Sequence, residues 1–303
     1  MVAAGRADRL IADALHLSRA AVRELIEAGA VRANGRRVAK GAQLQSGVQL
    51  EVVIESLPAV VCEPDAPLAV LHTSPAFVVL DKPPGLACHP LRRGEGGTLA
   101  NALVARFPAC AGASDSPREG GLCHRLDRET SGTIVAARTR HAFEGLRAQF
   151  RARTVEKVYW ALVRGALAAE RGRIELPLTG NGKAPRPWRH PHDGPALPAL
   201  THYRVLARAA GPGEGCTWLE VHIETGVRYQ IRAHLAALGH PLWGDALYGG
   251  GEPPPGLGRH LLHARSLGFL DPQDLAPVAV DAPLPADAGA VLASLGLSGA
   301  ADS

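Results

Sequence analysis

Residues 124–132 read His-Arg-Leu-Asp-Arg-Glu-Thr-Ser-Gly, and the apolar run Thr-Ile-Val-Ala-Ala follows directly at 133–137. A charged loop that enters a buried strand places the Asp127 carboxylate at the edge of the core, where neighbouring guanidinium groups favour its ionised form. A purely structural salt bridge from Asp127 to Arg125 or Arg128 would explain such a string equally well if it stood alone. The other segments of the chain decide between the two interpretations.

Polar side chains also occur beside predicted strands and helices in three other segments. Asp-Lys-Pro-Pro-Gly at 81–85 and Cys-His-Pro at 88–90 follow a predicted strand. A proline-stiffened turn explains these residues as well as a functional role does. Lys-Val-Tyr-Trp-Ala-Leu-Val at 157–163 predicts a strand with its first, third and fifth side chains on one face. Val-Arg-Tyr-Gln-Ile-Arg-Ala-His-Leu at 227–235 overlaps a helix predicted over 228–237. The candidate residues in these segments are Lys82, His89, Tyr159, Arg228, Gln230 and Arg232.

Together these segments resemble the RluA-type pseudouridine synthases. Residues 124–132 match the family's H-R-L-D-x-x-T-S-G motif, and residues 157–163 match its K-x-Y-x-A-x-V strand. Three positions depart from the pattern: Asp81 replaces the commoner Asn, Val227 the usual Arg and Tyr229 the usual His. The resemblance covers residues 6 to 270 and implies an RNA uridine isomerase that uses no cofactor.

The resemblance also implies roles for individual residues. Asp127 is expected to be the catalytic carboxylate, which either attacks the sugar or base or assists glycosidic cleavage through loss of the C2′ proton. Arg232 is expected to pair bidentately with Asp127 and keep it ionised. Tyr159 is expected to pack on the flipped base and to take the C5 proton, which a phenol with an ordinary pKa of about 10 does poorly. The expected substrate-binding residues are Lys82, His89, Arg125, Leu126, Arg228, Gln230 and Leu262.

The N-terminal segment predicts a small basic module. Apolar residues at helical spacing indicate helices over 10–15 and 18–28, and Asn-Gly at 34–35 predicts a tight hairpin because both residues tolerate positive φ. This pattern resembles the S-four RNA-binding domain, and the alternative is an ordinary solvated basic face. The resemblance implies contacts to the RNA backbone, which clustered arginines favour. The residues expected to make them are Arg19, Arg23, Arg32, Arg36 and Arg37.

These patterns predict two domains in the 303 residues. The boundaries are an RNA-binding domain at 6–54, a linker at 55–68, a catalytic domain at 69–276 and an Ala/Pro-rich C-terminal tail at 277–303. Strands and helices mix without strict βαβ alternation, which predicts the α+β class. The family resemblance implies a central mixed, mainly antiparallel sheet.

Composition excludes several classes of protein. The five cysteines contain no C-x-x-C pair, and His190, His192 and Asp193 lie in a proline-rich loop without ligand spacing, so we predict no metal. No glycine motif that cradles phosphates opens a helix, so we predict no nucleotide cofactor. No apolar stretch approaches the roughly 18 residues of a membrane helix, and we expect a cytoplasmic monomer that binds RNA and no membrane.

Large-subunit ribosomal RNA is the expected target, with transfer RNA as the alternative. A non-catalytic RNA-binding protein on the same fold is a second alternative, against which the retention of Asp127, Tyr159 and Arg232 argues. A glycoside hydrolase using Asp127 and Glu129 is a third. It would need two carboxyl groups about 5–10 Å apart in an aromatic cleft, and the aromatic content is only 4%.

Overall fold

The computed structural model describes residues 4–15, 19–27, 29–53, 60–180, 184–210 and 215–297. The chain divides into two compact units, the first formed by Met1–Val61 with Leu91–Glu95 and the second by Cys62–Pro90 with Gly96–Ser303. The second unit therefore starts within the predicted linker rather than after it. The linker residues 55–59 lie outside the described residues.

The first unit is a small α+β module in which two amphipathic helices pack against short strands. Its buried core includes Ile11, Val22, Ile26 and Val31. Strand pairing gives a three-stranded sheet and a separate two-stranded one. Its elements are β1 (Gly5–Arg6), α1 (Ala7–Leu15), α2 (Arg19–Glu27), β2 (Val31–Ala33), β3 (Arg36–Arg37), β4 (Gln43–Leu44) and β5 (Leu50–Val52).

The β2–β3 hairpin has the predicted tight turn. Asn34 and Gly35 have φ values of +48° and +79°, the combination that a two-residue hairpin of primed type requires. The Asn34 side chain also accepts a hydrogen bond from the Gln49 amide at 3.0 Å, which links the turn to the chain leading into β5. The turn sets Arg32 directly opposite Arg37 on the neighbouring strand.

The second unit is built on one large sheet. Its elements are β6 (Ala69–Thr73), β7 (Phe77–Lys82), α3 (Leu99–Arg106), β8 (Ser131–Ala137), α4 (Arg140–Ala152), β9 (Glu156–Arg164), β10 (Arg171–Glu175), β11 (Leu178–Thr179), β12 (Ala196–Leu197), β13 (Leu200–Ala209), β14 (Cys216–Ile223), α5 (Gln230–Ala237), β15 (Leu262–Leu270), β16 (Pro277–Asp281) and α6 (Ala286–Ser294). The strand order is β10-β13-β14-β9-β15-β8-β7-β6, with β16 also paired to β15. Among the described strands of this sheet, only β15 and β8 run parallel. The predicted α+β class and mixed, mainly antiparallel sheet are thus confirmed.

Helices cover the apolar side chains of the sheet. Phe143 and Leu146 of α4 are buried in one core cluster with side chains of β7, β8 and β15. Val291 and Leu292 of α6 are buried in a second cluster with Trp218 of β14. No helix in the described part of the chain is long and apolar enough to cross a membrane.

The predicted Ala/Pro-rich tail is wrong as a structural description. Residues Pro277–Asp281 form β16, which pairs with β15, and Ala286–Ser294 form α6, whose apolar side chains reach the core. Alanine-rich composition conceals this because small apolar residues give little periodic contrast between a buried and an exposed helix face. The residues from 298 onward lie outside the described part of the chain.

Candidate active site

A cavity of about 440 Å³ lies in the second unit, between the loop before β8, strand β9, the C-terminal part of α4 and the β14–α5 connection. Its lining contains seven of the ten catalytic and substrate-binding candidates, namely Arg125, Leu126, Asp127, Tyr159, Gln230, Arg232 and Leu262. Three candidates, Lys82, His89 and Arg228, are not part of the lining. The fold therefore brings together residues that lie up to 137 positions apart in the sequence.

The loop that carries Asp127 is fixed at both ends. On the N-terminal side, the Cys88 thiol donates to the Leu126 carbonyl at 3.2 Å and accepts from the Leu126 amide at 3.3 Å. On the C-terminal side, Gly132 approaches β15 so closely that a Cβ atom would lie 2.1 Å from the Ala264 carbonyl oxygen. Its φ of +109° also disfavours other residues. Close packing against β15 therefore requires glycine at position 132 of the motif. This packing fixes the loop in which Asp127 lies, just before the buried strand β8.

Lys82 contacts this loop and does not line the cavity. Its side chain is fully buried, and its ammonium donates to the carbonyls of Pro83 at 2.7 Å, Leu86 at 2.8 Å and Arg128 at 3.0 Å. Burial lowers the Lys82 pKa to about 8. The three carbonyls take up all three N–H donors, so the side chain holds the catalytic loop in place. The sequence leaves two positions open for Lys82, near the phosphates or near this loop, and the structure places it at the loop. Its contact with RNA stays a prediction.

His89 is half-buried beside the same loop. Burial lowers its pKa, and the charges of Arg125 and Arg118 lower it further. Arg125 itself is exposed and lines the cavity. His89 is therefore close to the Arg125 side of the cavity without lining it, and its predicted role in substrate binding stays a prediction.

Asp127 combines partial burial with nearby positive charge. Its side chain is 17% exposed, and one oxygen lies 3.6 Å from Nη1 of Arg232. Burial raises the Asp127 pKa, while Arg232, Arg125 and Arg228 lower it. Burial outweighs the arginines, so the carboxylate is a stronger base than an exposed aspartate while its ionised form still has a cationic neighbour.

Arg232 does not form the expected bidentate pair with Asp127. It pairs instead with Asp245, through Nε to Oδ2 at 2.6 Å and Nη2 to Oδ1 at 2.7 Å. The Asp245 side chain is fully buried, and its pKa is lowered by Arg232 against the effect of burial. This arrangement leaves only Nη1 directed at Asp127, so Asp245 fixes the orientation from which Arg232 acts on the catalytic carboxylate.

Two tyrosine rings pack against the same guanidinium. The Arg232 guanidinium carbon lies 4.5 Å from the ring centre of Tyr229 and 5.4 Å from that of Tyr248. Arg228 lies over the Tyr229 ring at 4.4 Å and donates to its hydroxyl at 2.9 Å. Tyr229, which replaces the family's usual histidine, therefore joins both arginines through cation–π contacts. Its φ of +58° sets it just before α5, which begins at Gln230 and not at the predicted Arg228.

The remaining predicted lining is largely apolar. Leu126, Tyr159 and Leu262 are all less than 10% exposed. Burial and the nearby Asp127 charge raise the Tyr159 pKa, so the phenol stays protonated at neutral pH. Such a ring is suited to packing against a flat base and poorly suited to accepting a proton.

Gln230 belongs to the framework of the site. Its carbonyl oxygen accepts from the Thr225 hydroxyl at 2.7 Å and the Val227 amide at 3.1 Å. Its amide group donates to the Leu200 carbonyl and the Thr201 hydroxyl. These four bonds saturate the side-chain amide, so its contribution to the cavity is to fix the start of α5.

Three residues of the site were absent from the sequence-based candidates. Asp245 and Tyr248 lie in the segment Gly-Asp-Ala-Leu-Tyr-Gly at 244–249, whose resemblance to the family was the available signal. Thr130 lines the cavity, and its buried hydroxyl has no hydrogen-bond partner among the described residues. No sequence pattern distinguishes this hydroxyl from that of a threonine in an ordinary turn.

The cavity supports chemistry that needs one carboxylate. Among the described residues that line it, Asp127 is the only acid, and Glu129 is not part of the lining. A glycoside hydrolase needs a second carboxyl group across the sugar. This geometry therefore argues against the glycosidase alternative.

The predicted RNA-binding arginines lie in the first unit. Arg23 of α2 and Arg32, Arg36 and Arg37 of the hairpin are exposed. The backbone of Arg19 begins α2, and its side chain lies outside the described part of the chain. Their contact with RNA stays a prediction.

Comparison with known proteins points to the same chemistry. Residues 76–237 match a family model described as RNA pseudouridylate synthase. An uncharacterized RNA pseudouridine synthase of Chloroflexus aurantiacus is 39% identical over 296 residues, which cover 96% of this chain and 90% of that protein. Ribosomal large subunit pseudouridine synthase D of Xanthomonas campestris is 36% identical over 316 residues, with coverage of 97% and 90%. The solved human RNA pseudouridylate synthase domain containing 1 has a TM-score of 0.59 at 30% identity, over 74% of this chain and 86% of that one.

The fold, the cavity and these relatives define an RNA-modifying isomerase. The chain belongs to the RNA pseudouridylate synthase family, in which uridine is converted to pseudouridine. Its substrate is therefore RNA.

Proposed function

We propose that this enzyme isomerises a uridine in large-subunit ribosomal RNA and that Asp127 is its catalytic carboxylate. The observation that carries the proposal is the position of Asp127 as the only acid among the described lining residues of a cavity that also contains Tyr159 and Leu262. Its 3.6 Å separation from Arg232 supports an ionised carboxylate that is available for chemistry. The named target of the Xanthomonas campestris relative supports the choice of RNA.

The side chains around Asp127 suit the separate needs of the reaction. The uracil must leave C1′ of its ribose, turn, and rejoin through C5 without escaping. Asp127 would either form a covalent bond to the sugar or base or assist cleavage by accepting the C2′ proton. The Tyr159 ring and Leu262 side chain would hold the detached base between apolar surfaces, since both are buried at the cavity wall. Because paired uridine is inaccessible, the nucleotide would be flipped into the cavity.

The exposed arginines of the first unit would bind backbone phosphates of the RNA. Such contacts are strongly salt-dependent and carry little sequence information. All residues that line the cavity belong to the second unit, which supports action as a monomer, and we propose the cytoplasm as its compartment.

Tritium release tests the substrate. Isomerisation frees the hydrogen at uracil C5, so transcripts labelled there with tritium report each turnover. We expect wild-type protein to release tritium from a large-subunit ribosomal RNA transcript and not from a small-subunit transcript or a transfer RNA pool. Release confined to transfer RNA would replace the proposed target, and release from none of the three RNAs by folded protein would contradict the proposed activity.

A further inference from the structure

One wall of the cavity is not explained by the chemistry at Asp127. Arg147, Phe150 and Arg151 of α4 line the same cavity. Their spacing of three and four positions puts them on one face of the helix. Lys157, at the start of β9, lines the cavity beside them. These four residues are called the basic wall below.

The two arginines of the basic wall form no ion pair with the described residues. In the described part of the chain, no carboxylate oxygen lies within 4.0 Å of Arg147 or Arg151, whereas Arg140 of the same helix pairs with both Asp115 and Glu144. Arg147 donates to the Cys123 carbonyl at 3.1 Å. That bond orients the guanidinium. The Glu119 carboxylate, whose pKa burial raises, is near enough for Arg147 to lower that pKa in part, but it lies beyond ion-pair distance.

Lys157 is positioned in the same way. Its ammonium donates to the Glu224 carbonyl at 3.2 Å and more weakly to the Thr225 carbonyl at 3.5 Å. Burial and the charge of Arg153 lower its pKa to about 8, which leaves it mostly charged at neutral pH. A third N–H donor remains for a ligand.

An aromatic surface lines the cavity together with these cations. The half-buried Phe150 ring lies 4.7 Å from the His124 imidazole, with 31° between the planes. Burial, together with the charges of Lys157 and Arg147, lowers the His124 pKa to about 3, so this imidazole is neutral. The attraction of a helix C-terminus for cations would account for Arg151, but not for a partly exposed ring and a second arginine without an ion pair in the same cavity wall.

The basic wall lies next to the proposed position of the uracil. Lys157 and Tyr159 are alternate residues on one face of β9, which separates them by about 6.7 Å. A polynucleotide that places one base against Tyr159 must carry a phosphodiester and a further nucleotide past that face. The chemistry of the wall, cations around a neutral ring, suits a phosphate and a stacked base.

We propose that the basic wall binds the nucleotide next to the target uridine, with Arg147, Arg151 and Lys157 on its phosphate and Phe150 against its base. This inference rests on the proposed function, because it assumes that the uridine occupies the Asp127 part of the cavity. The wall contributes affinity and does not touch the reacting atoms. Its loss therefore raises KM and leaves kcat close to that of the wild type.

The test compares two double variants with equal loss of charge, using tritium release from the large-subunit ribosomal RNA transcript at several salt concentrations. Arg147→Gln/Arg151→Gln removes two cations from the wall. Arg140→Gln/Arg173→Gln is the control, because Arg140 and Arg173 are exposed, paired with acids and absent from the cavity lining. Melting temperatures establish that both proteins are folded.

We expect the wall variant to raise KM about 10- to 100-fold, since bonds to charged groups are the stronger ones. The slope of log(kcat/KM) against log salt should become less negative by up to about 0.7, the value for one neutralised phosphate of a single strand. The control should change neither quantity. Phe150→Leu, which keeps the apolar packing, should raise KM about 5-fold or more through lost stacking.

Equal KM values and salt slopes for the wall variant and the control would overturn the inference while leaving the proposed function intact. A fall in kcat at unchanged KM would also overturn it, because that result would place the wall in the chemical step. If wild-type protein released no tritium, the proposed function itself would fail. The failure of each proposal is therefore distinguishable.

Discussion

Arginines are used in opposite ways in the hairpin of the first unit and in the cavity of the second. Arg32, Arg36 and Arg37 are exposed, and Arg32 faces Arg37 across the two strands. Arg232 is 9% exposed and is held by a bidentate pair with Asp245 as well as by two tyrosine rings. The first arrangement gives a surface of positive potential, and the second gives a single guanidinium with a fixed direction.

This difference determines what the arginines of each region can contribute to binding and catalysis. Exposed charges are screened by salt and act nearly independently, so they add affinity in small increments. A buried charge keeps its strength, but its effect depends on every neighbour that orients or neutralises it. We therefore expect substitutions at Asp127, Arg232 and Asp245 to change the chemical step and substitutions in the hairpin to change binding.

Asp127→Asn should have the largest effect of any single substitution. The amide cannot act as a base or a carboxylate nucleophile, so kcat for tritium release should fall by at least about 10⁴-fold, the usual scale for loss of a nucleophile. The affinity for RNA, measured by filter binding, should stay close to that of the wild type, because phosphate contacts dominate it. Full activity in this variant would remove Asp127 from the mechanism.

Lys82→Met should lower the stability of the folded protein more than it changes the rate of the chemical step. It would leave three partly buried carbonyls without their donor, and we expect a loss of about 3 kcal/mol in the free energy of unfolding. That loss corresponds to a melting temperature lower by roughly 6–12 °C. Arg173→Met, at an exposed ion pair in the same unit, serves as the control and should change melting little. An unchanged melting temperature for Lys82→Met would mean that the lysine does not hold the loop.

Hairpin substitutions should have the smallest effect on catalysis. Arg32→Gln/Arg36→Gln removes two exposed charges, which should weaken RNA binding several-fold at low salt and flatten its salt dependence. Single-turnover rates at saturating enzyme should be unchanged. A large fall in that saturated rate would mean that the first unit takes part in the chemical step.

Local sequence patterns were enough to predict much of the fold. The motif at 124–132 and the alternation at 157–163 gave the loop, strand β8 and strand β9, and Asn34-Gly35 gave the hairpin. Strand β15, at the centre of the sheet, was not among the predicted strands. It pairs with β9 and β8, and these are contacts between distant parts of the chain that no local window contains.

The sequence predicted which residues form the site better than it predicted which of them contact each other. Asp127, Tyr159 and Arg232 do meet in one cavity. Arg232 does lie beside Asp127, but the expected bidentate geometry was wrong. The choice between the carboxylates of Asp127 and Asp245 depends on side-chain geometry near the start of α5, which the sequence does not show. The sequence leaves Lys82 between two positions, near the phosphates or near the catalytic loop, because its charge suits either. Its burial, which no local pattern shows, directs it to the backbone carbonyls of the loop.

The pH dependence of the single-turnover rate, at saturating enzyme, tests the central claim most directly. The claim is that burial and Arg232, oriented by Asp245, set the charge of a catalytic Asp127. Because burial raises the Asp127 pKa and the ionised form is required, the wild-type rate should fall as pH drops through that raised pKa. Asp245→Asn, Arg232→Gln and wild type are compared, with melting curves as the control for folding.

Asp245→Asn removes the anion that offsets the charge of Arg232. The pKa of Asp127 should therefore fall, and the loss of rate on acidification should occur at lower pH. Arg232→Gln removes the cation, so the pKa of Asp127 should rise and the loss of rate should occur at higher pH. The rate itself should be lower in both variants. Opposite shifts would support the account. Coincident acid limbs in all three proteins, or shifts in the same direction, would contradict it, because Asp127 would then not be the group whose ionisation controls the reaction.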